Sequence, residues 1–163
     1  STAVCRPISS VLREHGCAAN GTDCVLNITV MDGATATATN APTKLAQNLL
    51  ALSAPKHMAI ESTIVSAEVK PKRAPDDRNG IATVVVQSSS AVACWIVLTC
   101  AADGRFSENG FFVRPDTPME IEFYAFEYGE SNGNKAELLA TLNATLRVEH
   151  LWTVMHYISQ TSN

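Results

Sequence analysis

Residues 81–100 read IATVVVQSSSAVACWIVLTC, and this stretch decides the fold. Two apolar runs, 81–87 and 92–100, flank a short serine turn. Runs of this length that are rich in β-branched residues predict strands, because an amphipathic helix would show apolar residues every three or four positions. We interpret the second run as a central strand buried on both faces, with Trp95 as the largest side chain of the core.

Similar runs extend in both directions from this stretch. Alternating apolar residues predict strands at 60–69, 105–113 and 119–126, and a long last strand at 138–148. Clusters of Gly, Pro, Asn and Asp separate these runs. About seven strands with turns every 8 to 12 residues are typical of an immunoglobulin-like sandwich. We therefore predict an all-β fold, an immunoglobulin-like antiparallel β-sandwich with an N-terminal β extension.

The N-terminal third of the chain shows a weaker pattern. A strand with one apolar face is predicted at 24–30, followed by an irregular connection at 32–48 and a short helical turn at 44–52. Pro55 then ends regular structure. These elements are half a sandwich with an uncovered apolar face, so we expect them to need an upstream partner or to pack on the last domain.

The chain accordingly divides into three predicted parts. Residues 1–55 are interpreted as the closing strands of a preceding Ig-like domain plus a linker, residues 56–152 as a C-terminal Ig-like sandwich, and residues 153–163 as a tail. The chain begins at Ser1 with neither an initiator Met nor a signal peptide. Either a signal peptide was removed or the chain starts inside a larger polypeptide, and we favour the second interpretation.

Composition excludes two classes of partner. The net charge of -4 and the pI near 5.5 argue against nucleic acid, because phosphate binding needs clustered Lys and Arg. No apolar run approaches the roughly 20 residues that a membrane-spanning helix needs. We therefore predict neither a nucleic-acid partner nor a membrane partner.

Cysteine spacing predicts one disulfide. The five cysteines are Cys5, Cys17, Cys24, Cys94 and Cys100. Cys17 and Cys24 bracket a short polar loop that suits a small disulfide-closed ring, and a zinc site with nearby His15 is the alternative. Cys94 and Cys100 fall on one face of one predicted strand, about 20 Å apart, so they cannot bond each other. We interpret both as small core residues.

Three N-glycosylation sequons begin at Asn20, Asn27 and Asn143. Asn27 and Asn143 fall on the solvent faces of their predicted strands. Three sequons beside a plausible disulfide favour a protein of the secretory pathway. We therefore expect a lysosomal or extracellular location.

The sequence offers no convincing active site. Glu120 and Glu122 share one face of a predicted strand about 7 Å apart, a spacing that a glycosidase pair could use. Alternating charges on the wet face of an antiparallel strand are ordinary, and we prefer this explanation by far. The other carboxylates considered are Asp76, Asp77 and Glu108, and the histidines are His15, His57, His150 and His156. These groups form no nucleophile motif, so we predict no catalytic residue, no metal and no cofactor in this chain.

Residues 103–112 read DGRFSENGFF, and this element resembles a known family. It is similar to the C-terminal immunoglobulin-like domain of animal lysosomal β-mannosidases of glycoside hydrolase family 2. There a Gly-Arg-Phe-Ser-(Asp/Glu)-Asn-Gly-Phe element follows a buried aromatic strand. Residues 52–56 look like that family's linker, and residues 17–30 resemble the closing strands of its penultimate sandwich. The departures are a longer loop at 71–80, the pair of cysteines after residue 90, and the tail after Trp152.

The resemblance implies a function for the parent protein rather than for this chain. Such an enzyme removes terminal β-linked mannose by a retaining mechanism, with two glutamates on a (β/α)₈ barrel. No catalytic residue of the family can be placed on this sequence. The resemblance thus implies a non-catalytic region that braces the parent glycosidase, with the catalytic barrel and the other sandwich domains as its partners.

An independent module that binds carbohydrate or protein is the alternative function. Tyr124, Phe126 and Tyr128 are predicted to form an exposed aromatic row opposite Met119. Such a row would stack on sugars in a binding module, or bury against a neighbouring domain in a multidomain enzyme. Arg105 and Asn109 are interpreted as loop-stabilising residues, or alternatively as contacts to the barrel or to a glycan.

Overall fold

The computed structural model describes residues 6–32, 43–73, 80–126 and 132–161. Four groups of predicted interest lie outside these ranges: Cys5, Asp76, Asp77 and Tyr128. The chain divides into two compact units, Ser1–Ile60 and Glu61–Asn163.

The first unit contains one helix, two strands and a 3₁₀ turn in its described part. The elements are α1 (Ile8–Glu14), β1 (Val25–Asp32), β2 (Thr43–Ala51) and the turn Pro55–His57. β1 and β2 pair antiparallel, with a register shift after Val30. The helical turn predicted at 44–52 is wrong, because a single helical turn is costly to nucleate and β2 gains a full ladder of backbone hydrogen bonds from β1.

The apolar face predicted for the first strand is present but uncovered within its own unit. Ile28 is 46% exposed and Val30 is 52% exposed, although both alternate correctly along β1. On the same face, Leu26 lies opposite Leu50. A two-stranded sheet has no second layer to bury this face, and such hairpins are marginally stable by themselves.

The second unit is a two-sheet antiparallel sandwich, as predicted. Its strands are β3 (Val65–Pro71), β4 (Gly80–Ser88), β5 (Ala93–Thr99), β6 (Gly104–Phe106), β7 (Phe111–Val113), β8 (Met119–Ala125) and β9 (Arg147–Glu149). The first sheet has the order β3-β4-β8-β6, and the second has the order β7-β5-β9. All observed pairings are antiparallel.

The core fills the space between the two sheets. Its main cluster is Val84, Val86, Ala93, Ile96, Leu98, Phe111, Val113 and Ile121. A second cluster surrounds Phe123, the largest fully buried side chain in the described residues. Trp95 belongs to neither cluster, so its predicted place in the core is wrong. β5 is also buried on one face only, since Val97 is 38% exposed.

The single strand predicted at 105–113 is two strands in different sheets. β6 pairs with β8 in the first sheet, and β7 pairs with β5 in the second. The chain crosses between the sheets just before Phe111, where Gly110 has a φ of 75°. A left-handed residue breaks strand periodicity, and glycine adopts that conformation without a Cβ penalty.

The long last strand predicted at 138–148 is mostly helix. Helix α2 spans Asn132–Thr145, and only the three residues of β9 remain extended. The buried residues Leu138 and Leu142 are four positions apart, which fits a helix face as well as it fits alternation. The intervening residues, Leu139, Ala140 and Thr141, leave the period ambiguous, and strong helix formers such as Leu and Ala decide it.

The predicted tail also forms a helix. Helix α3 spans Leu151–Thr161 and contacts β5. No helix among the described residues is both long enough and apolar enough to cross a membrane.

Candidate functional site: an aromatic pair on the outer face of the second sheet

The element at 104–112 has a structural role within the sandwich. A Cβ on Gly104 would lie 2.4 Å from Cζ of Phe123 and 2.5 Å from the carbonyl oxygen of Tyr124. Only glycine therefore lets β6 approach β8 this closely. Next to it, the rings of Phe106 and Phe123 meet with centroids 5.2 Å apart, which anchors β6 to the core.

Arg105 covers Tyr124. Its guanidinium carbon lies 4.7 Å above the centre of the tyrosine ring, and Tyr124 is only 9% exposed. The prediction of Tyr124 as an exposed aromatic is therefore wrong, because Arg105 on the neighbouring strand occupies the ring face. Phe126 is 59% exposed, but because Tyr124 is covered, the two residues do not form the predicted row of exposed aromatics.

Asn109 acts as a substitute strand partner for β5. The backbone N–H of Leu98 donates to Oδ1 of Asn109 at 2.7 Å, and Nδ2 of Asn109 donates to the carbonyl of Leu98 at 3.2 Å. The next backbone bond runs from the N–H of Gly110 to the carbonyl of Ile96 at 2.8 Å. The amide thus extends the ladder beyond the end of β7, which is a structural role for this side chain.

Trp95 is the residue whose backbone departs most from its element. Ala93 pairs with Val113 and Ile96 pairs with Phe111, so two residues of β5 lie opposite the single residue between the partners. This is a β-bulge, and Trp95 has a φ of 50° within it. Positive φ in a bulky residue is a genuine outlier of backbone geometry. Here it turns Trp95 out of the core.

Trp95 and Phe112 form a pair on the outer face of the second sheet. Their ring centroids are 4.8 Å apart and their planes are inclined by 51°. Both side chains are half-buried, and the exposed Val97 follows Trp95 by two residues on the same face. The sequence interpretation placed Trp95 in the core because it took β5 as buried on both faces, and a bulge cannot be predicted from apolar periodicity.

Charged groups border the aromatic pair. Arg114 follows Phe112 by two residues, and its Nε donates to Oδ1 of Asp116 at 3.0 Å. The hydrogen bond from Arg114 is the largest cause that lowers the pKa of Asp116, so this carboxylate is ionised at neutral pH. On the other side of β5, Glu149 lies opposite Val97. The patch therefore combines apolar rings with both signs of charge.

Comparison with known proteins agrees with the sandwich fold. A family model described as the Ig-fold domain of mannosidases matches residues 62–154, which include all seven strands of the sandwich. The chain belongs to the mannosidase Ig-fold domain family. A search of the curated proteins found no match. Family membership makes this unit an accessory domain of the mannosidase type and implies that it is part of a larger glycosidase.

In this mannosidase Ig-fold domain the described carboxylates Glu120 and Glu122 lie two residues apart on β8. Glu122 forms an ion pair with Lys72, and Oε1 of Glu122 accepts a hydrogen bond from Thr83 at 3.0 Å. Glu120 is exposed on the same outer face of the first sheet. These contacts leave the partly buried Glu122 engaged as a structural partner.

Two of the histidines named from the sequence, His150 and His156, lie beside Trp152. Trp152 lies between His150 and His156, with ring centroids 6.4 Å and 4.7 Å away. Burial lowers the pKa of His150. Nδ1 of His150 has no hydrogen-bond partner among the described residues, so the ring is held in place by stacking.

The predicted disulfide is confirmed. Cys17 and Cys24 are bonded, with their Cα atoms 6.0 Å apart. The zinc alternative is wrong, because the bond uses both sulfurs that would have been thiolate ligands. Cys94 and Cys100 are free, and burial raises the pKa of Cys94 to about 11. An inert core role for Cys94 agrees with that value.

The three sequon asparagines are exposed. Asn20 lies in the disulfide loop, where its Oδ1 accepts a hydrogen bond from the Thr22 hydroxyl at 2.9 Å. Asn27 lies on β1 and accepts a bond from Gln47 at 2.9 Å. Asn143 lies on helix α2 rather than on a strand. All three positions have room for an attached glycan.

Proposed function

We propose that this chain is the non-catalytic C-terminal region of a retaining β-mannosidase and that it braces the parent enzyme. The observation that carries the proposal is the family match over residues 62–154. The element at 104–112 supports it, because its glycines, Phe106 and Asn109 all act within the sandwich. A domain built in this way contributes a rigid scaffold and leaves chemistry to another part of the parent.

If the domain braces the parent enzyme, weakening the domain should lower the thermal stability of the enzyme without changing its turnover. In the full parent enzyme, Leu142→Ala removes a fully buried side chain of the sandwich, which costs about 2–5 kcal/mol of domain stability. We expect a lower temperature of thermal inactivation, with kcat/KM for a chromogenic β-mannoside unchanged at 25 °C. The exposed Glu108→Ala is the matched control and leaves both quantities unchanged.

Two outcomes would contradict this proposal. One is turnover of the chromogenic β-mannoside by the isolated chain at a rate comparable with the parent enzyme. The other is an unchanged inactivation temperature in the Leu142→Ala parent, which would mean that the domain does not contribute to the stability of the enzyme.

We also propose a secretory-pathway location, lysosomal or extracellular, with N-glycans on Asn20, Asn27 and Asn143. The exposure of these three side chains and the Cys17–Cys24 bond support it. Enzymatic release of N-glycans in ¹⁸O-labelled water, followed by peptide mass spectrometry, identifies each occupied asparagine as a labelled aspartate. Absence of the label from all three would contradict the proposal.

A further inference from the structure

The structure assigns a second role to the sandwich: we propose that Trp95 and Phe112 form a binding platform for a single hexopyranose ring at the end of a neutral glycan. The inference extends the proposed function, which explains the scaffold but not this pair. It depends on the proposed function only for the choice of a mannoside as the first ligand.

The first support is the backbone of β5. With regular alternation after Ala93, Trp95 would point into the core beside the other inward side chains. The bulge and the φ of 50° instead turn it outward, where it is half-buried. Backbone strain of this kind persists when the surroundings impose it, and it is concentrated at functional sites. Core packing does not account for it, because Trp95 lies outside both core clusters.

The second support is the shape of the pair. Two aromatic rings whose centres are 4.8 Å apart, inclined by 51°, offer an apolar surface of about one sugar ring. The C–H groups of a pyranose pack on such faces, and Val97, two residues after Trp95 on the same face, is 38% exposed. Tyr124 and Phe126, considered from the sequence, offer no such surface, because Arg105 covers Tyr124.

The third support is the balance of charge around the pair. Arg114 and Asp116 are bound to each other, and Glu149 lies across β5. A phosphate would require cations without an opposing carboxylate, and a cationic ligand would require the reverse. A guanidinium and a carboxylate held side by side provide donors and acceptors for the hydroxyl groups of a neutral sugar.

The test is a titration of the chain with β-1,4-mannotriose, followed by tryptophan fluorescence. The chain has two tryptophans, so Trp152→Phe makes Trp95 the single emitter. We expect a saturable change in emission. In the same background, Phe112→Leu keeps an apolar side chain but removes the ring, and we expect at least tenfold weaker binding. Phe126→Ala, an exposed phenylalanine outside the platform, should bind as tightly as its parent.

Three results would overturn the inference. They are the absence of saturable binding, equal binding by Phe112→Leu, and equal loss of binding by Phe126→Ala. Near-ultraviolet circular dichroism of each variant verifies the fold, and Phe112→Tyr, which restores a ring, should restore binding if Phe112→Leu is folded but weak.

A second measurement addresses the intact parent enzyme. Hydroxyl-radical footprinting should oxidise Trp95 in the free enzyme, and β-1,4-mannotriose should protect it. Protection of Trp95 without sugar would mean that a neighbouring domain covers the patch, and the inference would be wrong. Either result leaves the bracing proposal intact, because that proposal rests on thermal inactivation of the Leu142→Ala parent.

Discussion

At the scale of single residues, the positive φ of Trp95 makes its position one where glycine should be more stable than alanine. This is the opposite of the usual order in a strand. A positive φ costs a non-glycine residue about 1–2 kcal/mol, while glycine in a strand loses about 0.5–1 kcal/mol of stability. We therefore expect Trp95→Gly to be more stable than Trp95→Ala by about 0.5–1 kcal/mol in urea unfolding. Val97, in the regular part of β5, is the matched control, and there alanine should be the more stable substitution. The same order at both positions would mean that the bulge carries no strain.

Substitution of Asn109 measures how much its two hydrogen bonds to the backbone of Leu98 stabilise the sandwich. Asn109→Ala leaves the N–H and the carbonyl of Leu98 without their partner, and two lost bonds of about 1 kcal/mol each predict a loss near 2 kcal/mol. Asn109→Asp keeps an acceptor for the N–H but not the donor, so it should lose less than the alanine variant. Urea unfolding measures both. The neighbouring Glu108→Ala should stay within about 0.5 kcal/mol of the parent, since its side chain is exposed.

At the scale of elements, the end of helix α2 connects the helix to the loop after β5. Oγ1 of Thr145 donates to the carbonyl of Thr141 at 2.7 Å and accepts from the N–H of Ala101 at 2.9 Å. Thr145→Val should cost about 1–3 kcal/mol, because the Ala101 N–H loses its acceptor, and Thr145→Ser should retain most of the stability. Both are measured by thermal unfolding of protein from a host without N-glycosylation.

The sequon that contains Thr145 supplies its own control. Asn143→Gln removes the acceptor asparagine but leaves the hydroxyl in place, so its stability in the unglycosylated protein should be unchanged within about 0.5 kcal/mol. Equal losses of stability in Asn143→Gln and Thr145→Val would contradict the role of the Thr145 hydroxyl as the acceptor for the N–H of Ala101. In a glycosylating host, Thr145→Ser should keep the Asn143 glycan and Thr145→Val should abolish it.

Apolar periodicity predicted β8, whose apolar residues alternate with Glu120 and Glu122, and the continuous apolar run 81–87 predicted β4, which is buried on both faces. Apolar periodicity failed where the same spacing fits both a helix and a strand, as at Leu138 and Leu142. It also failed where the backbone departs from regular strand geometry. The bulge at Trp95 and the crossing at Gly110 are of the second kind, since each depends on contacts made by other strands. The aromatic platform could not be predicted for the same reason, whereas the 104–112 element identified the family from residues whose roles are local.

At the scale of the whole molecule, the two units should differ in their ability to fold alone. Both core clusters lie within Glu61–Asn163, and every strand of the sandwich has its partners there. In Ser1–Ile60 the described sheet has two strands, and Ile28 and Val30 are about half exposed. We therefore expect residues 61–163, expressed alone, to unfold cooperatively in urea, and residues 1–60 alone to show little protection from amide hydrogen exchange.

Reduction provides the matched control for this difference, because the disulfide between Cys17 and Cys24 lies in the first unit and both free cysteines described lie in the second. Dithiothreitol should increase proteolysis of the first unit in the full chain, since opening even a short ring costs on the order of 2–3 kcal/mol. It should leave the urea midpoint of residues 61–163 unchanged. If residues 61–163 instead fail to fold when expressed alone, the sandwich is not an independent unit.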